Sequence, residues 1–230
     1  MSKLYFRHGA MNSGKSTALL QAAYNYEERG QKVLLAKPQI DTKGDALIVS
    51  RLGVSRPVDF TVGPGDDIYA AFSSHRERVV RRTGVDVSCL LVDEAQFLSE
   101  GQVDDLLRIA ILEGVPVLAY GIRTDFQTVA FPGSRRLLEI AHSLEELKTI
   151  CRCGRKAMFN ARKVGDRYVF DGDQVAIDTS TGLSASDAPL VAYESLCGAC
   201  YLEESGGVLN NGWRPKAEFS YTGGPDADFT

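Results

Sequence analysis

Four groups of residues in this 230-residue chain have types and spacings that suit chemistry. The first is Gly9-Ala10-Met11-Asn12-Ser13-Gly14-Lys15-Ser16, which spells G-x-x-x-x-G-K-S. Glycines at that spacing let backbone amides curl around an anion. Lys15 adds a point charge near outer phosphates, and the Ser16 hydroxyl can ligate magnesium. The second group is Asp93-Glu94, which ends the apolar run Ser88-Cys89-Leu90-Leu91-Val92. A carboxylate at a strand exit can hold magnesium, directly or through water, and its neighbour can take a proton from an attacking hydroxyl or water. Phosphoryl transfer needs little covalent help, so positioning and charge neutralisation supply most of the rate.

The third group is Cys151, Cys153, Cys197 and Cys200, a C-x-C and a C-x-x-C. Two close pairs can close a tetrahedral zinc site with four thiolates, and with no open position that zinc is structural. A redox pair or unrelated thiols are the alternatives. Cys89, inside an apolar strand, reads as core. The fourth group is aromatic. Phe126 and Phe131, following Tyr120, suit an apolar slot for a flat ring, or serve as loop anchors. Arg123 and Arg162 suit transferring phosphates, but composition alone makes them ordinary surface charges.

The elements around these groups decide between a motif and a chance string. Residues 3–8 suit a strand and residues 17–23 a helix, so the glycine loop sits between strand and helix, whose positive end faces an anion. Residues 31–38 form a short apolar run ended by proline. Residues 39–65 read as a long mobile connection rich in Gly and Pro. A helix is predicted over Asp67–Arg82, with Ile68, Ala71, Phe72 and Val79 on one face, and another over Val103–Leu112. Val115–Gly121 is a further strand. Gly133-Ser134-Arg135-Arg136 opens a short helix with Ser134 as its N-cap.

Strands alternating with helices predict an α/β fold: a mostly parallel sheet of the P-loop NTPase type, covered on both faces. Ligands of such sheets lie at the strands' carboxyl ends, where Gly9, Asp93 and Gly121 all fall. Texture changes near residue 150. The expected division is a kinase-type phosphate-loop domain over residues 1–150, a zinc-binding domain over 151–209 and a flexible tail over 210–230. The net charge of −4 leaves no basic footprint for nucleic acid. No signal peptide or apolar run of membrane-spanning length is visible, which predicts a cytoplasmic protein. Five cysteines, an odd number, argue against a disulfide framework.

Together these residues resemble the cytosolic type II thymidine kinases. The match runs through Gly9–Thr17, Val92-Asp93-Glu94-Ala95-Gln96-Phe97, Tyr120-Gly121-Ile122-Arg123-Thr124-Asp125-Phe126-Gln127, Leu147–Ala157 and Tyr193–Tyr201, in the family's order. The resemblance implies transfer of the ATP γ-phosphate to the 5′-hydroxyl of thymidine, with Glu94 as base and Asp93 on the magnesium side. It implies that Gly9 to Ser16, with Asp93 to Gln96, hold ATP and magnesium. It places Met11, Phe97, Ile122, Phe126 and Phe131 against the nucleoside, with Asn160 where some members carry a threonine beside the thymine methyl. It makes the second domain a zinc-held lasso that reads the base through the backbone of Gln174, Val175, Ala176, Ile177 and Asp178, with Tyr193 near the nucleotide. It also implies assembly as tetramers. The chain departs from the family at Lys43, where Arg is usual, at Asp178-Thr179, where Gly-Gly is usual, and in a longer stretch from Asp178 to Tyr193.

Two other readings compete. A zinc-ribbon ATPase acting on nucleic acid fits the loop and the cysteines, and the acidic balance opposes it. A nucleotide-binding regulator without turnover has no need of the Asp93-Glu94 pair.

Overall fold

A computed structural model describes residues 2–39, 46–172, 174, 191–207 and 209. The expectations on Asp41-Thr42-Lys43, on Val175–Thr179 and on the tail over 210–230 lie outside the described residues. The chain divides into two compact units that are not consecutive lengths of sequence. The first comprises Met1–Gly9, Gly14–Arg123 and Phe131–Leu147. The second comprises Ala10–Ser13, Thr124–Ala130 and Lys148–Thr230.

The first unit contains β1 (Leu4–His8), α1 (Lys15–Glu27), β2 (Lys32–Pro38), β3 (Leu47–Val49), β4 (Ser55–Pro57), β5 (Phe60–Val62), α2 (Ile68–Thr83) and β6 (Val87–Val92). A single 3-10 turn over Ala95–Phe97 follows, then α3 (Glu100–Leu112), β7 (Val117–Gly121), α4 (Pro132–Ile140) and β8 (Ser143–Glu146). Six strands form one sheet in the order β5-β2-β6-β7-β1-β8, and every neighbouring pair is parallel.

Both faces of that sheet are covered, which is why Val33–Ala36 of β2 and Cys89–Val92 of β6 are apolar without interruption. Successive residues alternate between two cores. Leu34, Leu90 and Val92 join Phe6 and pack with Ile68, Phe72, Leu106 and Leu137 from α2, α3 and α4. Leu35, Leu91 and Leu118 face the other way, onto Leu19 and Ala23 of α1 and onto Ile48. Each fully buried leucine contributes about 1.5–3 kcal/mol, so this two-sided burial dominates the unit's stability.

The helix boundaries follow from caps. Asp67 accepts from Ala70 N at 2.8 Å to start α2, and Gly84, at φ 70, ends it. α3 starts three residues before its apolar periodicity, because Ser99 and Gln102 form a reciprocal capping box.

Two expectations need correction, and one strand was not expected at all. Residues 39–65 are not simply a connection. They hold the β3–β4 hairpin, anchored by Ile48 at 1 % exposure, and β5, a sheet strand with Phe60 and Val62 buried. Ser134 does not cap α4. The helix starts at Pro132, whose missing N–H costs nothing there, and the Ser134 hydroxyl donates to Ile122 O at 2.6 Å. β8 reads as polar sequence, Ser-Leu-Glu-Glu, yet it is the sheet's last strand beside β1.

The second unit is small and antiparallel. β9 (Thr149–Ile150) pairs with β10 (Lys156–Ala157). β11 (Phe159–Val164) lies between β12 (Arg167–Val169) and β13 (Val191–Leu196). α5 (Gly198–Glu204) closes it. Its core is Ala157, Ala161, Leu196 and Tyr201 with three of the four paired cysteines.

Candidate active site

In the first unit the chemistry gathers at the carboxyl ends of β1, β6 and β7. Gly9 N donates to Gly121 O at 3.3 Å, joining the exits of β1 and β7. The loop then passes through two left-handed residues, Asn12 at φ 68 and Gly14 at φ 77. Gly14 is the N-cap of α1 and has no side chain to offer, so no side-chain cap stands between the start of the helix and an anion. Lys15 Nζ lies 3.4 Å from Gly9 O. Burial lowers its pKa, and the charges of Glu94 and Asp93 pull it back up.

Ser16 Oγ donates to Asp93 Oδ2 at 3.0 Å. Asp93 is buried, and that burial, followed by the charge of Glu94, pushes its pKa up to about 6. Ser16, the Glu94 N–H and Lys15 act in the opposite direction. Two oxygen ligands side by side, one anionic, suit a hard cation such as magnesium.

Glu94 is left-handed, at φ 50 and ψ 35, which turns the chain sharply out of β6. Its N–H donates to Asp93 Oδ1 at 3.0 Å, and its Oε2 accepts from Gln96 Nε2 at 2.5 Å. Gln96, 1 % exposed, in turn accepts from Ile122 N at 3.2 Å. One amide therefore ties the Glu94 carboxylate to the residue after β7. There is no room for change around it. A Cβ on Gly121 would lie 2.7 Å from Gln96 Oε1, and one on Gly133 would lie 2.5 Å from Ala95 O. Phe97 packs edge-on against Phe131, ring centroids 5.4 Å apart, and the Ile122 backbone is held by Gln96 at its N–H and by Ser134 at its carbonyl.

The family resemblance puts Gln96 among the nucleotide-binding residues, and its link to Ile122 has no signal in the sequence. Thr17 Oγ1 lies 2.9 Å from Ser50 Oγ, which fixes the β3–β4 turn near α1. Arg51, in that turn, contributes a charge felt at Lys15. Only Ser50's small size and turn setting hint at this in sequence.

In the second unit, Met11 N donates to Asn160 Oδ1 at 2.7 Å, and Asn160 Nδ2 donates to Thr124 O at 2.9 Å. Phe126 is buried, its carbonyl accepting from Tyr201 OH at 2.7 Å. The Arg162 guanidinium lies 3.8 Å from the Phe126 ring centroid, so Arg162 is not the surface charge that composition suggests. Phe126 and Phe131 fall in different units. Tyr193 is half-buried on β13, opposite Arg162, and Gln174 is half-buried in a bend.

The sulfurs of Cys151, Cys153, Cys197 and Cys200 lie within 4.8 Å of one another. Tetrahedral zinc with bonds of about 2.3 Å places its ligands about 3.8 Å apart, inside that limit, so the set can hold such a metal. The β9–β10 turn presents the first pair, closed by Cys151 N to Arg155 O at 2.8 Å and Gly154 N to Cys151 O at 2.9 Å. Cys197 is the N-cap of α5, its sulfur accepting from Cys200 N at 3.5 Å. Burial pushes the Cys151 and Cys200 thiols up, while the Arg155 amide draws Cys153 down to about 7.

The parallel sheet, the glycine loop opening α1, and Ser16 against Asp93 define the nucleotide-binding P-loop class. Comparison with known proteins is more specific. A family model described as thymidine kinase matches residues 2–201. A thymidine kinase of Mesorhizobium japonicum is 45 % identical over 208 residues, 90 % of this chain and 94 % of that one. One of Chromobacterium violaceum is 43 % identical over 203 residues, 87 % of this chain and 98 % of the other. One of Idiomarina loihiensis is 51 % identical over 164 residues, 70 % and 81 % of the two chains. The chain belongs to the thymidine kinase family. Among its described residues, no helix is long and apolar enough to cross a membrane.

Proposed function

We propose that this chain is an ATP-dependent kinase that moves the γ-phosphate of ATP to the 5′-hydroxyl of thymidine, giving thymidine monophosphate and ADP. The observation that carries the reading is Ser16 bonded to Asp93, with Lys15 and Glu94 adjoining, in a chain of this family. The loop from Gly9 to Ser16 and the first turn of α1 cradle the phosphates, and Lys15 offsets their charge. Ser16 and Asp93 are the oxygen ligands for magnesium, which neutralises charge on the phosphates when bound. Ala95 and Gln96 complete that side by fixing the turn that carries Glu94. Glu94 takes the hydroxyl proton as the nucleoside oxygen bonds to the γ-phosphorus and the bond to the bridging oxygen of ADP breaks. With Oε2 held by Gln96, Oε1 is the oxygen left for that proton.

Met11, Phe97, Ile122, Phe126, Phe131, Gln174 and Tyr193 are assigned to the nucleoside, as the family resemblance implies. The four cysteines hold a structural zinc with no open position. A cytoplasmic homotetramer is the form in which the enzyme is proposed to work.

The test is turnover of thymidine, deoxyuridine, deoxycytidine and deoxyadenosine with ATP and magnesium. Thymidine should be the preferred acceptor. Glu94→Gln should lower kcat by about 10²–10⁴, the range for a lost general base. Full activity in a folded Glu94→Gln protein would remove Glu94 from that role.

A further inference from the structure

Asn160 and Ser195 stand opposite each other in the register of β11 and β13. Both side chains leave that sheet for the same backbone residue. Asn160 Oδ1 accepts from Met11 N at 2.7 Å, and Ser195 Oγ donates to Met11 O. Met11 lies midway along the phosphate loop, directly before left-handed Asn12. A neighbouring strand grips a residue by its N–H and C=O in just this manner. Here two side chains take the place of the strand.

The other half of the Asn160 amide reaches a second segment, donating to Thr124 O at 2.9 Å. Thr124 opens the loop that carries Phe126. That loop is closed on itself by Asp125 Oδ1, which accepts from Gln127 N and Val129 N, each at 2.8 Å. Asn160 is 2 % exposed, and both polar ends of its side chain are engaged by backbone. An amide buried in this way specifies one arrangement of its partners, and removing it strands both.

We propose that Asn160 and Ser195 form a backbone clamp that holds the Met11 arc of the phosphate loop and the Thr124–Ala130 loop on the paired strands β11 and β13. Asn160 is thereby a positioning residue for nucleoside recognition, acting through Met11 and Phe126 and not by touching the base. The kinetic part of this inference rests on the nucleoside reading of those two residues. The clamp itself does not.

Hydrogen exchange on the full-length protein, followed by mass spectrometry, tests the clamp directly. Steady-state kinetics with thymidine and ATP varied separately test its role. Asn160→Ala should speed exchange by tenfold or more at peptides containing Met11 and residues 124–130, as local opening replaces bonded amides. Asn160→Asp at pH 8 keeps the acceptor for Met11 and loses the donor for Thr124, so it should loosen residues 124–130 alone. Ser195→Ala should loosen Met11 alone, and Ser195→Thr, which keeps the hydroxyl, should restore it. These single-group changes keep the test readable if alanine at position 160 prevents folding.

In the kinetics, Asn160→Ala should raise the thymidine KM about tenfold with the ATP KM within about twofold. Met11 exchanging as fast in the parent protein as in Asn160→Ala would overturn the clamp. Equal rises in both KM values would overturn the positioning role. A parent protein that phosphorylates no nucleoside but shows the exchange pattern would retain the clamp and sink the thymidine reading.

Discussion

Glu94 holds a conformation that suits glycine. Its Cβ crowds the backbone at φ 50, at a cost of roughly 1–2 kcal/mol. The turn survives because the Asp93 and Gln96 side chains both bond to Glu94. Strain held in this way marks a site where position matters more than stability. Asp93 carries a second cost. Its pKa is raised in the folded protein, so its contribution to stability is fully present below the ordinary carboxylate pKa of 3.8 and is lost as pH rises through about 6. At pH 7.5 the buried charge costs about 2–3 kcal/mol in metal-free protein. Asp93→Asn should therefore raise the thermal midpoint of the unliganded protein at pH 7.5, leave it little changed at pH 4, and abolish magnesium-dependent turnover. Calorimetry at the two pH values checks the sign. Asp93 and Glu94 were legible in the sequence because their types and place at a strand exit suffice. Gln96 was not legible as a link, since its partner Ile122 reaches it only through the packing of β7 beside β6.

Among the elements, the continuous apolar strands and the periodic helices were readable for the reason that they are stable: each buries a face whose period the sequence displays. β5 and β8 escaped because edge strands need only one apolar face or a short one, and Ser-Leu-Glu-Glu has too little of either. The join between α4 and the 3-10 turn was also invisible, since it depends on an absent side chain. Gly133 faces the carbonyls of Ala95, Gln96 and Leu98, the nearest 2.5 Å from a notional Cβ. Gly133→Ala should displace that turn, destabilise the protein by about 1–3 kcal/mol and lower kcat through Glu94. Gly101, exposed near the start of α3, meets nothing within 4 Å. Gly101→Ala should stabilise by about 0.5 kcal/mol with unchanged kinetics. Urea midpoints and turnover on the same preparations separate the two outcomes.

At the scale of the molecule, the two units rest on different sources of stability. The first has a two-sided hydrophobic sheet, while the second has a small core in which cysteines take the place of larger apolar residues. A strong chelator, or Cys197→Ser, should unfold the second unit well below the first, giving two calorimetric transitions where the zinc-loaded protein gives one. Nucleoside binding should fall further than ATP binding, and metal analysis of the parent protein should find about one zinc per chain. The strand order has a consequence for how the chain is made. β2, β5 and β6 are neighbours in sequence and can pair as they leave the ribosome, but β1 lies between β7 and β8, whose first residues are Val117 and Ser143. At ~5–20 residues per second, the first strand waits on the order of 5–25 s for its first partner. Until then the glycine loop behind it has no β7 exit to bond to, and an apolar strand remains open to chaperones. The strand that leads into the glycine loop is made before β2, β5 and β6 and joins the sheet after them.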